Sequence, residues 1–243
     1  MRARVLPTAQ RPKPRGLFET AMALGCHLPG RAGHICYRKL KRRLCAHVPD
    51  TFAQVLADTG PGDLCIDLGA NVGVVTRQMA LTGADVISFE PDPAAFAALR
   101  TNTADLSNVT LHQKAASTED TRMVLRRSAN WEDDAPLAHT VASSIVRDDK
   151  DMSAERGVTV DVVDLPGFLA GLDRDIRVLK MDIEGAEWDV LEALLADPVL
   201  ARIDCIFVET HERYDPVRCI PLFERLQTQA EAMTRPYINL YWV

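Results

Sequence analysis

The stretch Ile66-Asp67-Leu68-Gly69-Ala70-Asn71-Val72-Gly73 decides the fold, because it joins a buried strand to a helix through a glycine-rich turn. The apolar run Leu64 to Leu68 has the character of a strand buried on both faces, and a helical stretch follows the turn. Gly69 permits a tight turn, and Gly73 lets a ligand approach the helix start closely. Asp67 can accept a hydrogen bond from a cationic amine. The stretch therefore predicts a strand-turn-helix unit with a ligand at its turn.

Alternation of short apolar runs with helical stretches continues along the chain. Four further runs have the character of buried strands: Asp85 to Phe89, Val109 to His112, Ile176 to Met181 and Asp204 to Val208. This alternation predicts a doubly wound α/β fold with a mostly parallel sheet and helices on both faces. Two more strands, Thr121 to Arg127 and Gly157 to Val163, flank a polar stretch of about thirty residues, a length typical of a functional loop.

Glu90 follows the second strand, at the sheet edge where ligands of doubly wound folds bind. Its carboxylate can accept hydrogen bonds from both hydroxyls of a ribose. Asp92 and Pro93, by contrast, are typical of the cap and the first residue of a helix. A nicotinamide-binding turn would read G-x-G-x-x-G, but the turn here reads D-x-G-x-x-x-G. An NAD-dependent oxidoreductase is therefore an alternative that the glycine spacing disfavours.

The fourth and fifth strands bring ionisable residues to the same edge. Lys180 lies in a buried strand and needs a partner, for which Asp182, Glu184 or a ligand is available. Asp182 or Glu184 could alternatively do no more than cap the following helix. His211 follows the fifth strand and is a candidate general base. The carboxylates of Asp182, Glu184 and Glu209 with the imidazole of His211 would also suit magnesium or manganese. Proximity in the sequence does not establish that these groups converge, so no metal site is predicted.

As a set, these motifs resemble the FkbM family of S-adenosylmethionine-dependent methyltransferases over about residues 60 to 212. The resemblance rests on five stretches: Ile66 to Gly73, Phe89-Glu90-Pro91-Asp92-Pro93, Ser143-Ser144, Leu179 to Glu187 and Val208-Glu209-Thr210-His211. It implies the seven-stranded class I methyltransferase fold, which is Rossmann-like, with S-adenosylmethionine as cofactor and S-adenosylhomocysteine as product. It also implies transfer to oxygen, on a hydroxyl of a secondary metabolite or glycan.

The resemblance also implies site residues. The first loop would surround the methionine part of the cofactor, Glu90 would hold its ribose, and Ala115 to Ser117 would lie near the adenine. The cofactor-binding residues expected are Asp67, Gly69, Ala70, Asn71, Gly73, Glu90, Pro91, Ala115, Ala116 and Asp182. We expect Asp182 or His211 to remove the acceptor proton, with Lys180 and Glu184 fixing the rim. A non-catalytic cofactor-binding partner protein is a further alternative.

One departure from the family concerns the end of the sheet. Past Glu212 the sequence contains one helix and a single evident strand, Tyr237 to Val243, whereas the fold expects a terminal antiparallel pair. The sixth strand of the family fold is therefore expected to be short or missing.

The charge is divided unevenly between an N-terminal extension, residues 1 to 49, and the methyltransferase domain, residues 50 to 243. The extension holds 11 Lys and Arg against Glu19, whereas the domain holds 17 basic and 33 acidic residues. The extension, expected to contain short helices, either binds phosphates, acidic glycans or a membrane surface or docks on its own acidic domain. The acidic domain argues against nucleic acid as a partner.

Composition and cysteine usage limit the class of protein. A hydrophobic content of 47% with 26% charged residues excludes disordered and fibrous classes. No apolar run is long enough for a membrane span, and no signal peptide is evident. Six cysteines without a C-x-x-C pair predict free thiols and a cytoplasmic location. Three cysteines and three histidines in the extension would provide enough ligands for zinc but match no standard zinc spacing: Cys26, His27, His34, Cys36, Cys45 and His47. A group in the polar stretch would suit either a polyol site or a solvated loop: Trp131, Glu132, Asp133, Asp134 and His139.

Overall fold

The structure is a computed structural model that describes residues 6–7, 12–46, 48–128, 143–147 and 152–242. The strands are β1 (Leu64–Leu68), β2 (Asp85–Phe89), β3 (Val109–His112), β4 (Ala115–Ser117), β5 (Thr121–Ser128), β6 (Met152–Asp164), β7 (Ile176–Met181), β8 (Ile203–Val208) and β9 (Tyr237–Asn239). The helices are α1 (Gly16–Gly25), α2 (Gly30–Cys45), α3 (Val48–Ala57), α4 (Val74–Ala80), α5 (Pro93–Asn102), α6 (Leu165–Ala170), α7 (Glu187–Ala196) and α8 (Pro216–Ala232). A 3-10 helix over Pro198–Arg202 precedes β8.

The main sheet has six strands in the order β3-β2-β1-β7-β8-β9, and every neighbouring pair is parallel. All residues of β1, β7 and β8 are buried, as a parallel sheet covered by helices on both faces requires. The order reverses between β1 and β7, so the carboxyl ends of these two strands form the crevice where such folds bind ligands. The predicted doubly wound α/β fold is confirmed.

The end of the sheet differs from the seven-stranded family fold. Within the described ranges a single strand, β9, follows α8, and it pairs with β8 in parallel through Cys205 and Tyr237. The crossover through α8 returns the chain to the starting end of the sheet, which makes a parallel pair the direct outcome. The expectation of a short or missing sixth strand agrees with this arrangement, and the count of seven strands is wrong for the described residues.

A second sheet contains β4, β6 and β5 in that order. The two predicted strands around the polar stretch pair antiparallel, with Thr121 opposite Val162. The sequence did not predict β4, which is only three residues long. Trp131, Glu132, Asp133, Asp134 and His139 lie outside the described residues.

The N-terminal helices pack on the domain. Leu44 and Cys45 of α2 are buried in the same apolar core as the main sheet. Lys41 of α2 forms an ion pair with Glu212, and its Nζ also donates to the Thr210 carbonyl at 3.3 Å. Docking of the basic extension on its own domain is therefore observed. The following helix, α3, begins at Val48.

Among the described helices, none combines the length and the apolar character that crossing a bilayer requires.

Candidate active site

The turn after β1 depends on two glycines with different neighbours. Gly69 has φ 72°, and a Cβ at this position would lie 1.8 Å from the Asp182 carbonyl oxygen, so no other residue fits. Gly73 has φ 90°, and its Cβ would lie 2.6 Å from Leu99 Cδ1 of α5. Gly73 therefore allows α5 to approach closely. This contact differs from the predicted role of Gly73, which was to let a ligand approach the start of the helix.

Asp67 and Lys180 form a buried ion pair beneath this turn. Lys180 Nζ lies 3.3 Å from Asp67 Oδ1 and 3.7 Å from Asp182 Oδ2, and it donates to the Gly69 carbonyl at 2.9 Å. Burial alone would lower the pKa of Lys180, but the charges of Asp67 and Asp182 raise it. The cationic amine that Asp67 contacts thus belongs to the chain itself. Lys180 therefore supports the turn.

A cleft, here called the central cleft, opens above the turn. Its walls are Gly69, Asn71, Phe89, Glu90, Pro91, Lys114, Ala115, Ala116, Leu125, Ser143, Ile145, Asp182, Ile183 and Glu184. Seven of the ten predicted cofactor-binding residues line it, whereas Asp67, Ala70 and Gly73 do not. The enclosed volume is about 80 Å³, so a ligand of nucleoside size would also occupy the open mouth.

Glu90 provides a buried carboxylate in the wall of this cleft. Its Oε2 accepts from the Asn71 backbone N–H at 2.8 Å, and its Oε1 accepts from that of Asp92 at 2.9 Å. Burial nevertheless raises the pKa of Glu90 to about 7. Asp92 caps α5 through the backbone N–H of Ala94, with Pro93 in the first turn, as predicted. Ser143 Oγ is buried in the same wall and has no hydrogen-bond partner among the described residues, which leaves it available to a ligand.

Three carboxylates surround the imidazole of His211, and two of them, Asp182 and Glu184, line the central cleft. The Nε2 atom lies 3.5 Å from Glu184 Oε2, 3.7 Å from Glu209 Oε1 and 3.9 Å from Asp182 Oδ1. None of these distances is a hydrogen bond, so Nε2 is buried and unpartnered within the described part of the chain. We call these four residues the carboxylate-histidine cluster.

His211 is held from behind by Glu187, the last residue of the stretch Leu179 to Glu187, which was not among the predicted site residues. Glu187 Oε1 lies 2.9 Å from His211 Nδ1 and accepts the His211 backbone N–H at 2.8 Å. Burial alone would lower the pKa of His211, but Glu187 and the carboxylates beyond it raise it. The ring also stacks on Tyr214, with 5.1 Å between centroids. Glu187 is fully buried in the first turn of α7, and a buried acid requires a partner, which His211 provides.

Glu184 has a backbone conformation that is unusual for its residue type. Its φ is 53°, and Gly185 beside it has φ 110°. Ser144 Oγ donates to the Glu184 carbonyl at 2.6 Å, and Tyr214 donates to the Glu184 carboxylate. The backbone strain is therefore held by specific contacts that aim this carboxylate at His211.

Comparison with known proteins identifies the family of the chain. The sequence matches the family described as "Methyltransferase FkbM domain" over residues 67–229, about two thirds of the chain. The chain belongs to the FkbM methyltransferase family. The FkbM match contains the central cleft and the whole carboxylate-histidine cluster, whereas α1, α2 and α3 lie before it.

A curated relative of this chain is "Methyltransferase 1" from Beauveria bassiana, 30% identical over 142 residues. The match covers 53% of the chain and 57% of that relative, so the chain spans little more than half of the relative's length.

Two solved structures are also similar. One is precorrin 8w decarboxylase from Methanobacterium thermoautotrophicum, with TM-score 0.34 and 17% identity over 60% of this chain and 54% of that one. The other is a provisionally identified rRNA methylase from Clostridium thermocellum, with TM-score 0.41 and 10% identity over 73% and 78%. Both scores are below 0.5, so neither likeness carries an argument.

The carboxylate-histidine cluster also has the composition of a cation site. Ligand atoms of Asp182, Glu184 and His211 all lie within 4.8 Å of one another. Carboxylate oxygens with one imidazole suit magnesium or manganese. Of the cysteines and histidines noted in the extension, His47 and the side chain of His34 lie outside what the structure describes.

Proposed function

We propose that this FkbM methyltransferase uses S-adenosylmethionine to methylate a hydroxyl of a glycan or secondary metabolite. The observation that carries the proposal is His211 Nε2, which is buried without a hydrogen-bond partner in the described part of the chain. It lies among Asp182, Glu184 and Glu209, the first two of which line the central cleft. A proton acceptor at the edge of a ligand cleft is what hydroxyl methylation requires.

The central cleft supplies groups that fit the cofactor. Glu90 would accept the ribose hydroxyls, the backbone around Gly69 and Asn71 would contact the methionine part, and Ala115 and Ala116 would cover the adenine. Ser143 Oγ, which is buried without a partner in the described ranges, offers a further polar contact. When bound, S-adenosylmethionine supplies a methyl group on a positively charged sulfur.

The proton of the acceptor hydroxyl would pass to the carboxylate-histidine cluster. Because Glu187 accepts at His211 Nδ1, the hydrogen of the neutral ring stays on Nδ1 and Nε2 keeps its lone pair. Asp182 reaches the same point from β7, with Lys180 holding it from beneath. His211 and Asp182 are therefore the candidate bases, and Glu184 orients the rim.

The same four groups favour a second arrangement, in which a divalent cation occupies the cluster. Such an ion would satisfy Nε2 and neutralise the carboxylates, and it would lower the pKa of a bound hydroxyl. The effect of chelation on turnover separates this arrangement from proton transfer to the imidazole itself.

Calorimetric titration of the purified chain tests the cofactor. We expect S-adenosylmethionine and S-adenosylhomocysteine to bind and NAD not to bind. Glu90→Gln should weaken both affinities at least tenfold, because a charged acceptor of two hydroxyl hydrogen bonds is lost. Glu192→Gln, an exposed change on α7, is the matched control and should bind as the wild type does. Unchanged affinity in folded Glu90→Gln, or equal binding of NAD, would contradict the assignment.

The ionisation of Glu90 gives a second expectation. Its pKa is about 7 in the free protein because of burial, and hydroxyl donors stabilise the charged form. Ligand binding should therefore lower this pKa and release up to one proton near pH 6 to 7, with affinity rising as the pH rises toward about 7. Titrations of S-adenosylhomocysteine in buffers of different ionisation enthalpy measure the proton release. Equal release by the wild type and Glu90→Gln would exclude Glu90 as its source.

A further inference from the structure

A second cavity, here called the side cavity, lies between α2 and the end of β8. From α2 it is lined by Tyr37, Arg38, Lys41, Arg42 and Cys45, and from the domain chiefly by Glu209, Thr210, Glu212 and Arg213. Its volume is about 510 Å³, within the range of small-molecule sites. Because α2 precedes the matched FkbM region, the family match does not account for the α2 wall of this cavity.

The side cavity meets the carboxylate-histidine cluster at Glu209. Glu209 lines the cavity, and its Oε1 lies 3.7 Å from His211 Nε2. Asp182 and Glu184 line the central cleft and approach the same Nε2 atom. The cluster therefore lies where the two spaces approach each other, so that one can hold the cofactor and the other the acceptor.

The α2 wall of the side cavity is strongly basic. Positions 37, 38, 41, 42 and 45 are spaced so that they share one face of the helix. Lys41 is committed, because it pairs with Glu212 and lies over the Phe223 ring, 4.8 Å from the centroid. Arg38 and Arg42 have no carboxylate partner among the described residues. Two exposed guanidinium groups that line one cavity wall without carboxylate partners in the described part of the chain favour a ligand that brings its own negative charge.

Arg213 is a further cation of the cavity wall, and it has partners of its own. Its guanidinium donates to the Tyr214 hydroxyl at 2.9 Å and lies 5.0 Å from the centroid of that ring. Burial lowers the pKa of Arg213, whereas the contact with Tyr214 and the charges of Glu184 and Glu209 raise it. Arg213 thus serves the acidic end of the cavity, and the basic end is left to α2.

We propose that the side cavity binds the methyl acceptor, and that this acceptor carries an oxyanion, a phosphate or a carboxylate, recognised by Arg38 and Arg42. The inference rests on the proposed function, because it takes the bound molecule to be the substrate that is methylated. Glu209 would face the hydroxyl of that molecule. The basic extension then has two parts: Lys41 anchors it to Glu212, and the two arginines select the ligand.

The test uses three sugars of similar size on the full chain: glucose 6-phosphate, glucuronate and glucose, titrated calorimetrically. Glucose 6-phosphate or glucuronate should bind, whichever matches the natural oxyanion, and glucose should bind at least tenfold more weakly. Arg38→Gln with Arg42→Gln should reduce the affinity for the charged sugar at least tenfold, because charge-assisted hydrogen bonds are lost. High salt should weaken the same binding.

The matched control is Arg31→Gln with Lys39→Gln, which removes two charges from exposed positions of α2 outside the side cavity. This control should change the affinity by less than twofold. Equal losses in both double variants would overturn the site, since charge alone would then explain them. Glucose binding as tightly as its charged derivatives, or no binding of either charged sugar, would overturn it as well.

S-adenosylhomocysteine is titrated into the same proteins, so that the two proposals fail separately. Arg-dependent binding of a charged sugar without any binding of S-adenosylhomocysteine would support the cavity and contradict the cofactor. Binding of S-adenosylhomocysteine with no difference between the double variants would contradict the cavity alone.

Discussion

Replacing His211 by alanine is expected to slow methyl transfer by about 10²- to 10⁴-fold, the usual contribution of a positioned general base. The imidazole is buried, its Nδ1 is held by Glu187, and its Nε2 faces three carboxylates with no hydrogen bond among the described residues. The loss should fall on turnover, while the affinity for S-adenosylhomocysteine stays within a fewfold of the wild type, because His211 does not line the central cleft.

The measurement is a single-turnover rate with methyl-labelled S-adenosylmethionine, on an acceptor found by screening hydroxylated compounds. Glu187→Gln should lose less activity than His211→Ala, since the ring remains and only its orientation and charge stabilisation weaken. Partial rescue of His211→Ala by added imidazole would support a base and would not follow from a structural role.

His27→Ala is the control, because His27 is exposed between α1 and α2. Turnover that survives replacement of both Asp182 and His211 would eliminate this pair as the base. Loss of turnover on exhaustive chelation, restored by magnesium or manganese, would instead favour the cation arrangement.

The second large effect concerns stability and the Asp67–Lys180 pair. Lys180→Met should lower the free energy of unfolding by about 3 to 5 kcal/mol, because it leaves Asp67 buried without its cation. In a chain of this size the loss corresponds to about 6 to 20 °C in Tm. It should also loosen the β1 turn, since Lys180 donates to the Gly69 carbonyl at 2.9 Å.

A double-mutant cycle with Asp67→Asn separates the ion pair from simple loss of packing. The combined variant should be clearly more stable than the sum of the two single losses predicts, because neither charge is then left alone. Lys39→Met, an exposed change on α2, should leave Tm almost unchanged. Additive losses, or a stable Lys180→Met protein, would show that the pair does not support the turn.

Much of the fold could be predicted because its signals are local. Five strands of the main sheet appear as short apolar runs, and β1, β2, β3 and β7 have the predicted bounds. Gly69 has the positive φ that its turn needs, and Asp92 caps α5 as predicted from its place before proline. Glu90 and Asp182 could be assigned to one edge because each directly follows a parallel strand.

The partners of buried charges could not be predicted in the same way. The sequence requires that Lys180 be paired and offers Asp182, Glu184 or a ligand as the partner. Asp67 lies nearer than Asp182, and only the order of the sheet, which places β1 beside β7, brings Asp67 to Lys180. The His211 and Glu187 contact joins residues 24 positions apart and depends on how α7 packs against the end of β8.

By itself the sequence determined the α/β class, the turn after β1 and the set of carboxylates at one sheet edge, because periodicity, glycine and capping act over a few residues. Only the tertiary structure decided that the sheet closes with one parallel strand, that Glu187 supports His211, and that Lys41 attaches α2 to Glu212 across 171 residues. These contacts depend on which elements become neighbours, a choice made by long-range packing that no local pattern contains.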